Sequence, residues 1–143
     1  MQNKPKVFQA IATSLLMFVA FYIVYLLTYL VAGGVIYLLT NIPLIRNLVG
    51  WLFSIRGDTP DMMLSLLCPG IAYLATMVMQ EKINKDTPTR GLSCILLGLI
   101  IVPLHIISLI INLIYGNGIL SNVVQIIAGS AIFYNGIGEL KGS

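Results

Sequence analysis

Apolar residues in this chain come in long unbroken runs and seldom alternate with polar ones. Four runs reach or approach the roughly 20 residues that carry a helix across about 30 Å of hydrocarbon at 1.5 Å per residue. They cover 8–31, with an apolar continuation to Leu39, then 60–80, 92–115 and 119–137, the last being the least apolar. The pattern predicts an all-α integral membrane protein, a four-transmembrane-helix bundle forming a single membrane domain over residues 1–143.

The junctions between runs carry helix-boundary chemistry. Thr59-Pro60-Asp61 reads as a helix start: a hydroxyl cap, a proline whose missing N–H costs nothing in the first turn, and an acid near the positive helix end. Glu81, Lys82, Lys85, Asp86, Thr87, Pro88 and Arg90 make up the charged connector between the second and third runs. Gly116-Asn117-Gly118 reads as a tight turn, so the third and fourth spans are expected to form a close antiparallel hairpin.

The stretch from Val31 to Arg56 is apolar enough to tempt a fifth span, with Gly33-Gly34 as a turn. Two arguments oppose it. Arg46 would fall near the centre of that helix, at a cost of about 2.5–3.5 kcal/mol. A fifth crossing would also put Lys82, Lys85 and Arg90 on the opposite side from Lys4 and Lys6. With four crossings, Lys4, Lys6, Lys82, Lys85, Arg90 and Lys141 share one side and only Arg46 and Arg56 lie on the other. The positive-inside tendency then places both termini in the cytoplasm, and the plasma membrane is the expected location. Residues 43–55 place Pro43, Arg46, Asn47, Gly50 and Ser54 on one helical face and Leu44, Ile45, Leu48, Leu52 and Ile55 on the other. With Arg46, Trp51 and Arg56 suited to headgroups, this segment is expected to be an amphipathic outer-face helix, interfacial or re-entrant.

Composition strengthens this reading. The chain has 143 residues, 58% hydrophobic and 9% charged, with a net charge of +3. A soluble domain carries about 25% charged residues, and one this apolar would lack the polar groups to cover its surface. The basic residues form no stripe or run, so nucleic acid is not an expected partner; the lipid bilayer is. Lys4 and Lys6 before an apolar run resemble a signal peptide, but the run exceeds the roughly 7–15 residues of such a segment, so it is read as a retained first span. Cys68 and Cys94 fit neither a CxxC motif nor a disulfide framework and read as small apolar packers.

Spacings of three and four residues mark the faces on which helices touch. The second run carries Asp61, Ser65, Cys68, Ala72, Ala75 and Met79 at such spacings, and the third Cys94, Gly98, Ile101, His105, Ser108 and Asn112. The fourth carries Asn122, Gln125, Gly129, Ile132 and Gly136. The first run offers an aromatic stripe, Phe18, Tyr22, Tyr25 and Tyr29, whose hydroxyls are expected to find polar partners.

Candidate chemistry is sparse. His105, the single histidine, sits about 15 Å from the outer end of its span. Ser108 and Asn112 share its face, and Asn122 and Gln125 are expected to approach Asn112 across the hairpin. These five residues are the candidate polar pocket or pore. The competing reading is a hydrogen-bonded cluster in a bundle core, because unpaired polar groups are costly in hydrocarbon. Pro69 and Pro103 each free a carbonyl one turn back and are positioned to open a cavity if both kink. No catalytic residue, metal site or cofactor is expected: one histidine without clustered acids makes no zinc site, and no nucleophile-elbow or phosphate-loop motif occurs. Two function classes remain. One is a non-enzymatic accessory, immunity or assembly subunit working through intramembrane helix contacts with a membrane-protein partner. The other is an oligomeric channel or small-solute permeation protein with a polar path near His105.

Overall fold

A computed structural model describes residues 4–44, 47, 59–116 and 119–142, and at 36, 40 and 59–63 it describes the backbone alone. Most of the described residues are helical, and none of them is in a strand. The elements are α1 (Val7–Thr40), α2 (Thr59–Ile83), α3 (Thr87–Tyr115) and α4 (Ile119–Gly142). All four are long and apolar enough to cross a membrane. Most of the predicted amphipathic segment 43–55, with Arg46 and Trp51, and also Arg56, lies outside the described residues.

The helices outrun the predicted spans. The first continues past 31 through Gly33 and Gly34 to Thr40. Glycine in a helix interior costs only about 1 kcal/mol, and the apolar residues on both sides keep the pattern going. The third helix starts at Thr87, before the predicted 92: Asp86 occupies the extended N-cap position and Pro88 lies in the first turn. The fourth runs beyond 137 to Gly142. Pro69 and Pro103 both lie inside helices.

In the packing, α1 lies against α2 and α3, and α4 lies against the same two, with α3–α4 the most extensive pair. This is the expected hairpin. Gly116 closes α3 with φ 75°, in the left-handed region, and its N–H donates to the Asn112 carbonyl at 2.7 Å. Lacking a Cβ, glycine enters that conformation without penalty. The α3–α4 seam is the one predicted for α4: Asn122, Gln125, Gly129, Ile132 and Gly136 are its buried residues. On α3 the face begins earlier, at Gly91, and no residue beyond His105 is buried.

Two faces differ from expectation. On α1 the buried residues are Ala10, Thr13, Ser14, Met17 and Phe21, while Phe18, Tyr22 and Tyr25 are half-buried and Tyr29 is exposed. Residues small near one end and bulky near the middle fit a seam that narrows toward the end shared with the α2–α3 connector. On α2 the buried series is Leu64, Cys68, Ala72, Thr76 and Gln80, an i, i+4 ridge, with Ser65, Ala75 and Met79 at its flank. Cys68 and Cys94 are both buried and free.

The core is a layer of Met17, Phe21, Ala72, Cys94, Leu97, Ile101 and Ile132, drawn from all four helices. Leucine, isoleucine and valine cover the outside of the helices. That inversion suits a lipid solvent, which has no quarrel with apolar surface.

Candidate functional site

Polar side chains gather in two places, one on each side of the apolar layer. The first holds His105. Its Nε2 lies 2.5 Å from the Tyr22 hydroxyl on α1, and its Nδ1 lies 3.1 Å from Asn122 Oδ1 on α4. An amide oxygen only accepts, so Nδ1 carries the proton and donates to Asn122. Nε2 then accepts from the Tyr22 hydroxyl. Phe18 and Phe21 meet the Tyr22 ring edge-on at centroid distances of 5.0 and 5.3 Å, which fixes the direction of its hydroxyl. Three helices thus meet through one imidazole whose two nitrogens are both engaged.

A second short chain runs beside it. The Tyr25 hydroxyl lies 3.2 Å from Ser121 Oγ, to which Gln125 Nε2 donates at 3.3 Å. Gln125 Oε1 is buried without a partner among the described residues.

The five predicted residues therefore divide. His105 and Asn122 are bonded to each other and are 7% and 5% exposed. Gln125 is buried one turn farther along α4 and bonds to Ser121. Ser108 and Asn112 are half-buried, and their side chains join neither chain. Asn122 was expected to meet Asn112 across the hairpin and instead reaches His105. The α3 face turns away from the core beyond His105, carrying Asn112 with it.

The second polar region was not anticipated. It lies where the start of α1, the α2–α3 connector and the start of α3 meet. Gln9 Nε2 donates to Asn84 Oδ1 at 3.1 Å, Asn84 Nδ2 donates to Gln80 Oε1 at 3.1 Å, and Gln80 Nε2 donates to Ser93 Oγ at 2.8 Å. The Thr13 hydroxyl donates to the Gln9 carbonyl at 2.7 Å, with Asn84 Oδ1 also near at 3.4 Å. Gln80, Asn84 and Ser93 are fully buried. Nearby, Arg90 Nε donates to Glu139 Oε1 at 2.8 Å, tying α3 to the end of α4. The available signal was spacing: Gln80 and Asn84 stand one turn apart, in register with Ala72 and Thr76, but the charges around them made the segment read as a connector.

The apolar layer separates the two regions. Ser93 and His105 are twelve residues apart on α3, about 18 Å along the axis, with Cys94, Leu97 and Ile101 buried between them. Among the described residues, no three His, Cys, Asp or Glu side chains come together in one place. Pro103 borders an apolar cleft of about 200 Å³ lined also by Gly98, Leu99, Val102, Ser130 and Phe133, to which none of the five candidate residues contributes.

Protein-family models, curated proteins and solved structures give no match to this chain.

Proposed function

We propose that the chain is a non-enzymatic accessory, immunity or assembly subunit, embedded in the membrane as a four-span bundle and acting through helix contacts with a membrane-protein partner. The observation carrying this reading is that His105, the chemically most versatile side chain in the helices, has both ring nitrogens bonded within the chain, to Tyr22 and Asn122. A group so engaged holds helices together; to act on a solute it would first have to break a buried bond. The apolar layer supports the same reading, because it separates the polar regions within one chain. An oligomeric channel with a polar path near His105 is the alternative. It has less support, since His105 faces its own neighbours and is unavailable to line a path between copies.

The finer topology belongs to this proposal. Both termini lie in the cytoplasm of a plasma-membrane protein. Charge placement supports it: Lys4, Lys6, Lys85, Arg90 and Lys141 all belong to the end where the chain's termini meet the connector.

The test pairs a native-detergent mass measurement with affinity purification and a liposome flux assay. Stoichiometric co-purification of a second membrane protein, with no flux, is the expected result. A symmetric homo-oligomer whose ion flux disappears in His105→Ala would overturn the proposal in favour of the channel.

A further inference from the structure

Lys4, Lys6, Lys85 and Asp86 line a cleft of about 520 Å³ at the end of the molecule where the N-terminal segment crosses the α2–α3 connector. The walls come from segments about eighty residues apart in sequence, and a buried hydroxyl joins them. The Lys6 N–H donates to Thr89 Oγ1 at 3.0 Å, and the Thr89 hydroxyl donates to Asp86 Oδ2 at 2.5 Å, with Thr89 fully buried. The backbone carrying the lysines is thereby anchored to the start of α3. The Asp86 carboxylate is engaged by Thr89, and Glu139, the acid of α4, is paired with Arg90. Among the described residues, no carboxylate forms a salt bridge with Lys4, Lys6 or Lys85. Three lysines therefore line one cleft with a single acid.

The depth of the cleft bears on what it binds. Val7, the first residue of α1 and the start of the apolar run, follows directly on Lys6. In a membrane this places the lysines at headgroup level, where basic pockets at helix ends meet lipid phosphates. We propose that this cleft binds a phosphate group, supplied by the headgroup of an anionic phospholipid. The inference rests on the helices crossing a bilayer and is independent of the subunit role.

The experiment is native mass spectrometry of the full chain in detergent, titrated with phosphatidylglycerol or with phosphatidylcholine. Membrane insertion is checked separately, by flotation of the chain with proteoliposomes. The expected result is preferential retention of one phosphatidylglycerol. That preference should fall about fivefold for each lysine removed in the series Lys4→Gln, Lys6→Gln and Lys85→Gln, with helicity by circular dichroism unchanged. A variant carrying Lys82→Gln and Lys141→Gln, two cations outside the cleft, should keep it. Inorganic phosphate at millimolar concentration serves as competitor. Weak competition supports the lipid source, whereas tight binding of phosphate without lipid supports the phosphate site and assigns it a soluble anion. Equal retention of the two lipids, or a preference unchanged in the triple variant, overturns the proposal, and failure to float overturns the membrane reading beneath it.

Discussion

Gly91 and Gly136 face each other so closely that a Cβ on Gly136 would lie 2.6 Å from the Gly91 carbonyl oxygen, and a Cβ on Gly91 would lie 2.9 Å from that of Gly136. One heptad along, Gly98 and Gly129 repeat the approach, with the Gly129 carbonyl 2.9 Å from a Cβ on Gly98. The α3–α4 seam is therefore a contact of backbone on backbone. Such close approach gathers dispersion energy where burial from water contributes little.

Gly136→Ala should destabilise the fold by about 1–3 kcal/mol, because a methyl group there forces two backbones apart. Gly138→Ala is the control. Nothing lies within 4 Å of its added Cβ, so it should be neutral or gain up to about 1 kcal/mol from helix propensity. Denaturation in sodium dodecyl sulfate, followed by circular dichroism, measures both. Equal stability of the two variants would refute the close seam.

Tyr22 and His105 should show a favourable coupling. A double-mutant cycle of Tyr22→Phe and His105→Phe deletes the bond while keeping an aromatic ring at each position, and the cycle cancels the cost of fitting the larger phenyl ring at 105. Interhelical bonds of this kind are worth about 0.6 kcal/mol on average and up to about 1.7. A coupling indistinguishable from zero would mean that the hydroxyl and the imidazole do not depend on each other.

The buried network at the connector predicts opposite outcomes for two nearby substitutions. Asn84→Leu leaves Gln9 Nε2 and Gln80 Oε1 without their partner and should cost about 1–3 kcal/mol. Thr76→Val should be neutral or mildly stabilising, because Thr76 Oγ1 is buried with no partner among the described residues. Unfolding midpoints of the two variants, compared with the parent, decide the matter; a loss at both positions would point to packing and not to hydrogen bonding.

Single cysteines introduced at Lys4, Lys85 and Lys141 in a background lacking Cys68 and Cys94 should all react with a membrane-impermeant thiol reagent from the same side. The shared side follows from the Lys6–Thr89 and Arg90–Glu139 contacts. That this side is cytoplasmic is the charge-based expectation, read out by labelling intact cells against inverted vesicles. Lys85 reacting from the face opposite to Lys4 would refute the even number of crossings.

Much of this was legible in the chain itself. Continuous apolar runs dictate helices, because no other local structure satisfies its own backbone without water. The Gly116 turn predicts the hairpin, and three- and four-residue spacing picks out Asn122, Gln125, Gly129, Ile132 and Gly136 as one face. Those signals are local, set by propensity and period. What only the tertiary structure decided is pairing. Periodicity says that His105 and Asn122 each face inward, but which groups meet depends on the relative height and rotation of separate helices, and those are set by where Gly91 and Gly136 let the backbones touch. Tertiary packing alone likewise leaves Asn112 half-buried and Tyr29 exposed, and joins Gln9 and Asn84, seventy-five positions apart, in one part-buried bond.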